Sequence, residues 1–385
     1  MVSSDSSSQR MLALTKAALH GTILDENLFV GSRKSEWDEL FKQCAAQGVM
    51  VLTLNGAMKL PKELQPPLSV KLPWIASVEA VKERYRHYLE TAEELSARFR
   101  ENNIRMLLIK GFALARLYPA PDSREFGDID IFLCGKAEEG DALLERISGI
   151  PGLSTNKHTN FYYREITIEN HHTFLTHEYL KSFKQVESLE QRLMEILTDA
   201  GVMEEPDFSE SDQPDEALLF PPPDFDALFV TLHFIAHLLS ETPIMLRHLC
   251  DLTVLFTAYK GKIDFSIYRN ALSEAGLLKL ADAFISLAVR YLDLNPEYAP
   301  PYVSDLSLEN RLWNFLLHSE VPPLPKEKRN LYSVFIRKIK LLRAKYQTRY
   351  RISELIFPSR YGKRFFVSIF FHLRHPKTIK DIFRP

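Results

Sequence analysis

Hydrophobic and polar positions alternate most regularly in the middle of the chain, where they predict a small β-sheet. Residues 105–110 have the apolar pattern of a buried strand that ends at Gly111. Asp128–Leu133 alternates acidic and apolar residues and is predicted as a second strand. Residues 161–171 are predicted as a pair of strands, 161–164 and 166–171, or as one continuous strand.

Apolar positions on both sides of this sheet recur at helical spacing. The N-terminal region, 11–102, is predicted to be helical, with a long helix over 76–102. Further helices are predicted at 112–118, 136–147, 224–239, 245–259, 264–275 and 278–292. The predicted fold class is therefore α+β, in which a small mixed β-sheet core is flanked by N-terminal and C-terminal helical regions.

These patterns divide the chain into five predicted parts. They are a disordered, Ser-rich N-terminus (1–10), a helical N-terminal region (11–102), an α/β core (103–205), a helical C-terminal domain (216–320) and a basic helical tail (326–385).

Composition is that of an ordinary folded protein, with 45% apolar and 25% charged residues in a chain of 385. The three cysteines are far apart in sequence and lack metal-ligand spacing, which favours a reducing compartment. The sequence has no apolar run of about 18 residues, the length of a membrane-spanning helix. We therefore expect a cytoplasmic protein.

The tail carries most of the positive charge of the chain. Residues 326–385 contain 17 Lys and Arg against three acidic residues, a net charge of +14, so the rest carries −16 of the total of −2. The aromatic centre Phe365–Phe371, with its basic flanks, suits peripheral contact with an anionic membrane, as at the inner face of a cell membrane. The alternative is a helix docked on the acidic body of the protein. The basic residues do not form a known nucleic-acid recognition module, so nucleic acid is not an expected partner.

Asp128 and Asp130 are the most informative pair of residues. Side chains two apart on a strand project from the same face, so the two carboxylates are expected to lie side by side. Two adjacent carboxylates repel each other unless a cation lies between them. Mg²⁺ is the natural ion, with Mn²⁺ as an alternative, because both prefer oxygen ligands.

A third carboxylate is needed to hold a second metal ion or to accept a proton from an attacking hydroxyl. The segment Ile166–His171 alternates so that Thr167, Glu169 and His171 share one face. Glu169 is our candidate for the third metal ligand and catalytic acid or base. Glu165 lies on the same predicted face and is the rival candidate.

A candidate phosphate site lies upstream of the Asp pair. Lys110 and Gly111 stand at a strand-to-helix junction, where a glycine lets the backbone approach a phosphate closely. Arg124, shortly before the acidic strand, would pair with a triphosphate or orient an aspartate.

The order of these features resembles the nucleotidyltransferase superfamily typified by DNA polymerase beta. More closely, Leu108–Tyr118 followed by Arg124 and by Gly127–Ile131 looks like a bacterial family of uncharacterised nucleotidyltransferases. The resemblance covers roughly residues 10–260. Its flanking parts are Trp37–Leu40, Ile168–His171, His233, His237 and Arg247–Leu252.

This resemblance implies a function and a role for each matching residue. Asp128, Asp130 and Glu169 would be metal ligands and catalytic residues, with Lys110, Gly111 and Arg124 as nucleotide-binding residues. The reaction would move a nucleoside monophosphate from ATP or another NTP to a hydroxyl of an acceptor, with a small molecule, sugar or lipid-linked intermediate favoured. The alternatives are a catalytically inactive binding or assembly module, or transfer onto RNA or protein. Phe112 replaces the superfamily's second small residue, which predicts crowding of the β- and γ-phosphates.

Two further pairs have competing interpretations. His171 and His172 are either structural or in contact with substrate or metal, and the structural role is the commoner one. Arg247 and Asp251, four residues apart, are most simply a helix ion pair.

Overall fold

The computed structural model describes residues 6–175, 186–204, 218–239 and 244–318. This part of the chain forms twelve α-helices and one mixed five-stranded sheet, which confirms the predicted α+β fold class. All of the described residues, except the last three of the helix that ends at Leu239, lie in one compact unit. The predicted basic tail, 326–385, lies outside the described residues.

Four helices precede the sheet, and the first begins earlier than predicted. They are α1 (Ser6–His20), α2 (Lys34–Ala46), α3 (Met50–Ala57) and α4 (Leu68–Glu101). Residues 6–10 are helical, so the prediction of disorder is wrong for them. Ser8 is fully buried, and Arg10 Nε donates to the Leu28 carbonyl at 2.7 Å. These tertiary contacts stabilise the first turn of α1, whose polar sequence lacks the hydrophobic periodicity that predicts a helix.

Helix α4 is longer than the predicted helix over 76–102, because it continues through a proline. Pro73 lies inside the helix and offers no N–H to its hydrogen-bond ladder. The next residue, Trp74, is fully buried and donates its indole N–H to the Met50 carbonyl at 3.0 Å. Burial of this side chain offsets the cost of the proline and fixes α4 against α3.

The sheet consists of five short strands. They are β1 (Leu107–Ile109), β2 (Asp128–Phe132), β3 (Leu153–Ser154), β4 (His158–Tyr163) and β5 (Ile166–His171). The spatial order is β1-β2-β5-β4-β3. Strands β2 and β5 are parallel, while the other neighbouring strands in this order are antiparallel.

Strands β4 and β5 form a hairpin, so the predicted pair of strands is confirmed and the single continuous strand is wrong. The turn residues Arg164 and Glu165 have φ of 49° and 64°. Left-handed conformations at both central residues match the twist of a two-residue hairpin turn. Strand β1 is shorter than predicted, because Lys110 has a φ of 54° and begins the next helix.

The main core of the sheet lies on its back face. Helices α5 (Lys110–Ala115) and α6 (Ala137–Ser148) lie close to their predicted positions. Fully or almost fully buried members of this core are Leu95 and Phe99 of α4, Leu144 of α6, and Ile129, Ile131 and Ile168 of the sheet. Because side chains alternate along each strand, this packing directs the acidic residues of β2 and β5 to the opposite, front face.

Six more helices follow the sheet. They are α7 (Val186–Asp199), α8 (Pro223–Leu239), α9 (Leu246–Ala258), α10 (Phe265–Glu274), α11 (Leu278–Leu292) and α12 (Leu306–His318). Helices α8 to α11 lie within one residue of the predicted boundaries. None of the helices in the described residues combines the length and the apolar character needed to cross a membrane.

The crossing of α1 and α3 depends on Gly56. A Cβ at this position would lie 2.2 Å from the backbone oxygen of Leu14. We expect Gly56→Ala to lower the free energy of unfolding by about 1–3 kcal/mol, because backbone atoms must move to admit the methyl group. Gly127→Ala is the matched control, since its Cβ meets nothing within 4 Å, and we expect a change within about 0.5 kcal/mol. Urea unfolding of both variants measures this; equal effects would contradict the close contact.

Candidate active site

Strand register brings the three predicted carboxylates to the front face of the sheet. Asp130 pairs with Glu169 across the parallel strands β2 and β5. Two residues earlier in each strand, Asp128 pairs with Thr167. Side chains of paired residues in adjacent strands project from the same face. The register thus places Asp128, Asp130 and Glu169 on one face of the sheet, as the alternation predicts.

The rival acid, Glu165, does not join this group. It lies in the exposed turn between β4 and β5, with a φ of 64°. The turn ends the strand alternation on which its predicted orientation depends. Of the two candidates for the third carboxylate, the structure therefore brings Glu169 to the Asp pair and leaves Glu165 outside.

Lys110 lies among the carboxylates, which the prediction of a phosphate-binding lysine does not anticipate. Its buried ammonium donates to Asp130 Oδ1, and its Nζ lies 2.9 Å from His171 Nε2 and 3.8 Å from Glu169 Oε2. Burial by itself would lower the Lys110 pKa, but Asp130 and Glu169 outweigh it and raise the pKa. Lys110 thus carries a positive charge that balances part of the acidic group.

His171 contacts the same cluster and is fully buried. Its Nδ1 lies 3.1 Å from the carbonyl oxygen of Thr173, and its Nε2 lies 2.8 Å from Asp130 Oδ1. Burial alone would raise the Asp130 pKa, but Lys110 and His171 outweigh it and hold the pKa well below its usual range. His171 therefore contacts the acidic cluster directly, while its contact with substrate or metal stays a prediction.

Asp128 has a different environment from Asp130. Burial, followed by repulsion from Asp130, raises the pKa of Asp128 to about 7. The hydrogen bonds among the described residues leave its carboxylate without a protein donor. A half-buried carboxylate of this kind, beside a second one, has the donor chemistry that a divalent cation requires. The residues at this position therefore fit the metal ion that the sequence implies.

Lys157 and His158 also face the cluster, and sequence reasoning missed both. Burial, followed by the charge of Lys110, lowers the pKa of Lys157 to about 7. His158 pairs with His171 across the hairpin, and its Nδ1 lies 3.3 Å from Glu169 Oε2. The sequence feature that could have identified His158 is the predicted hairpin. A two-residue turn at 164–165 places 158 opposite 171, and hence on the face of Glu169.

Arg124 is buried in a structural ion pair, contrary to its predicted role in nucleotide binding. Its Nε and Nη2 donate to the two carboxylate oxygens of Asp251, each at 2.8 Å, and Tyr118 donates to the same carboxylate at 2.7 Å. The predicted Arg247–Asp251 helix pair is also wrong, because Arg124 takes Asp251 and Arg247 instead donates to the Glu125 carbonyl at 2.7 Å. Arg124 does orient an aspartate, but the aspartate is on α9.

The glycine and phenylalanine at the start of α5 have packing roles. A Cβ on Gly111 would lie 3.0 Å from Arg124 Nη1, so the glycine permits the close approach of that buried guanidinium. The Phe112 ring is 4% exposed and packs against Tyr85 and Phe126 at centroid distances of 5.7 and 5.3 Å. Because this ring lies in the hydrophobic core, the predicted crowding of the phosphates by Phe112 is wrong.

Comparison with known proteins agrees with this geometry. A family model described as uncharacterised nucleotidyltransferase matches residues 33–293, about two thirds of the chain, and the chain belongs to this family. The match includes the sheet, the three carboxylates and helices α2 to α11. No curated protein and no solved structure matches the chain. The resemblance seen in the sequence is therefore confirmed at the level of the family.

The raised pKa of Asp128 makes stability depend on pH in the metal-free protein. The folded state binds this proton more tightly than the unfolded state, in which the pKa is about 3.9, so wild-type stability falls as pH rises from about 4 to 7. We expect Asp128→Asn to raise the free energy of unfolding by about 1–3 kcal/mol at pH 8, and by progressively less towards pH 4.

Urea unfolding at several pH values in the presence of a chelator measures this effect. Glu165→Gln is the control, because it removes an exposed carboxylate from the nearby turn. A gain for Asp128→Asn that is equal at pH 4 and pH 8 would contradict the raised pKa.

Proposed function

We propose that this protein transfers a nucleoside monophosphate from an NTP to a hydroxyl group of an acceptor, in a reaction that requires a divalent cation. The observation that carries the proposal is the pairing of Asp130 with Glu169 across β2 and β5. With Asp128 on the same face, it supplies the three carboxylates that this chemistry uses. Membership of the nucleotidyltransferase family supports the same reaction class.

Asp128 and Asp130 would hold Mg²⁺ or Mn²⁺, with Glu169 as a third ligand. When bound, the ion would neutralise charge on the phosphates and on the group that leaves. Asp128 suits this role because none of the described residues donates a hydrogen bond to its carboxylate. Asp130 Oδ1 is occupied by Lys110 and His171, which leaves its second oxygen for the ion.

The remaining residues of the site would orient the NTP and move a proton. Lys157 and Lys110 supply positive charge for the triphosphate on the front face of the sheet. Glu169 would accept the proton as the acceptor O–H bond breaks and its oxygen bonds to the α-phosphorus. The bond from the α-phosphorus to the β-phosphate oxygen then breaks, and pyrophosphate leaves.

A second candidate function is that of a non-catalytic module with the same fold. Lys110 favours it, because its ammonium already compensates one charge of the carboxylate group. The position of Glu169 favours catalysis, because an inactive module has no need for a third carboxylate beside the pair. We therefore retain transfer as the main proposal.

The preference for a class of acceptor rests on the sequence alone. A small molecule, a sugar or a lipid-linked intermediate is favoured over RNA or protein. Contact of residues 326–385 with an anionic membrane remains a prediction, because the tail lies outside the described residues. Such contact would favour a lipid-linked acceptor over a freely diffusing one.

Calorimetric titration with Mg·NTP tests the metal-binding half of the proposal. We expect Asp128→Ala and Asp130→Ala to abolish Mg²⁺-dependent NTP binding, because each removes a ligand of the ion. Glu165→Gln is the matched control and should bind as wild type does, since its carboxylate lies in the exposed turn. Unchanged Mg·NTP affinity in both Asp variants would refute the assignment.

A screen with labelled NTP, in the presence of Mg²⁺ or Mn²⁺, tests the transfer step. The candidate acceptors are sugars, lipid-linked intermediates, RNA and protein. We expect label on one acceptor class with wild type and none with the Asp128/Asp130 double alanine variant. Glu169→Gln keeps an amide oxygen for the ion but lacks the proton acceptor, so we expect weakened Mg·NTP binding and transfer at least about 100-fold slower than in wild type. Labelled product from the double variant would contradict the mechanism. Metal-dependent binding without any product would favour the non-catalytic module.

A further inference from the structure

We propose that His158, Glu169 and His171 form a binding site for a divalent transition-metal ion, beside the Asp128–Asp130 pair. The inference goes beyond the proposed function and shares only Glu169 with it. It rests on three observations: the spacing of the three ligand atoms, the hydrogen bond that orients His171, and a buried nitrogen of His158 that has no hydrogen-bond partner among the described residues.

The spacing of the candidate ligand atoms fits one ion. Glu169 Oε2 lies 3.3 Å from His158 Nδ1 and 3.5 Å from His171 Nε2, and all three atoms lie within 4.8 Å of one another. Ligands about 2.1 Å from a tetrahedral metal ion are about 3.4 Å apart. Strand pairing sets this spacing, because His158 is the register partner of His171. The three side chains therefore converge without any change in the backbone.

His171 has the orientation of a metal-bound histidine. Its Nδ1 lies 3.1 Å from the backbone carbonyl of Thr173. A carbonyl only accepts hydrogen bonds, so Nδ1 carries a proton. Without an ion, Nε2 lies 2.8 Å from Asp130 Oδ1 and 3.5 Å from Glu169 Oε2; an ion on Nε2 would take the place of its contact with Asp130. Metal-binding histidines commonly donate their other ring N–H to a carbonyl in this way, which fixes the ring and its tautomer.

His158 supplies a nitrogen with an unused hydrogen-bonding capacity. Its Nδ1 is buried and makes no hydrogen bond within the described part of the chain, although an oxygen of Glu169 is 3.3 Å away. A buried polar atom without a partner is costly unless a ligand satisfies it. An ion between Nδ1 and the Glu169 carboxylate would satisfy both groups at once.

Lys110 accounts for the contacts that the site makes without an ion. Its Nζ lies 2.9 Å from His171 Nε2 and also donates to Asp130 Oδ1, which itself lies 2.8 Å from that nitrogen. An ion on Nε2 would replace the first of these contacts and leave the second. The ammonium of Lys110 therefore lies beside the ligands that we assign to the ion. It competes with a bound cation for these ligands and so lowers the affinity for weakly bound cations.

Two imidazole nitrogens and one carboxylate define the chemical class of the ion. Mg²⁺ prefers oxygen ligands, whereas imidazole suits Zn²⁺ and Co²⁺. A set of two histidines and one glutamate also leaves coordination positions for water or a substrate group. We therefore expect selectivity for Zn²⁺ and Co²⁺ over Mg²⁺ at this site.

Titration of the metal-stripped full chain with Co²⁺, followed by visible absorption, tests the proposal. We expect one equivalent to bind and to produce the absorption bands of cobalt bound to nitrogen and oxygen ligands. Zn²⁺ should abolish the bands by displacement, whereas excess Mg²⁺ should not. His158→Gln should weaken Co²⁺ binding at least about 100-fold, since loss of an outer-shell partner alone costs about 10–100-fold.

His172→Gln is the matched control and should bind Co²⁺ as wild type does. This histidine neighbours His171 but contacts Thr159 and lies 3.6 Å from Asp141, away from the three ligands. The His158 side chain is partly exposed, so its replacement is compatible with folding. Thermal unfolding of both variants shows whether each is folded. If folded His158→Gln and His172→Gln bind Co²⁺ with the affinity and spectrum of wild type, the site does not exist. Failure of wild type to bind Co²⁺ would also overturn it.

The same samples separate this proposal from the proposed function. Asp128→Ala retains both histidines and Glu169, so it should bind Co²⁺ while losing Mg²⁺-dependent NTP binding. Co²⁺ binding without nucleotide binding in wild type would contradict the proposed function alone. Nucleotide binding without the cobalt spectrum would contradict the transition-metal site alone.

Discussion

Repulsion among three carboxylates on one face of a small sheet is the constraint to which the surrounding residues respond. Asp128, Asp130 and Glu169 are held together by strand register, so they cannot separate to relieve their charge. Lys110 enters the group from the start of α5 in a left-handed conformation that is unfavourable for a lysine. Buried His171 adds a polar contact to Asp130. This partial compensation lowers the electrostatic cost of holding the three carboxylates on one face when no cation is bound.

The carboxylate face was predictable because it depends on a local rule. Alternation along β2 and β5 identifies which side chains face the core, and the isoleucines of both strands are indeed fully buried. The pairing of β2 with β5 was not predictable from alternation, since it joins segments almost 40 residues apart. Family resemblance supplied that link, and the register of Asp130 with Glu169 agrees with it.

The roles of Arg124, Phe112 and Lys110 were beyond the reach of local patterns. Arg124 pairs with Asp251, which lies 127 residues later on a helix of the C-terminal half. Phe112 packs into a core formed partly by α4, so its ring never reaches the site. Lys110 begins a helix with a positive φ and thereby turns towards Asp130. Each outcome depends on tertiary contacts that overrule the expectation from residue type.

Anomalous diffraction from crystals grown with Mn²⁺ and a non-hydrolysable NTP analogue tests the central claim most directly. The account predicts a manganese peak within about 2.2 Å of carboxylate oxygens from both Asp128 and Asp130, with the triphosphate of the analogue bound to the same ion. A nucleotide bound elsewhere on the protein, or a front face without manganese at saturating concentration, would contradict it.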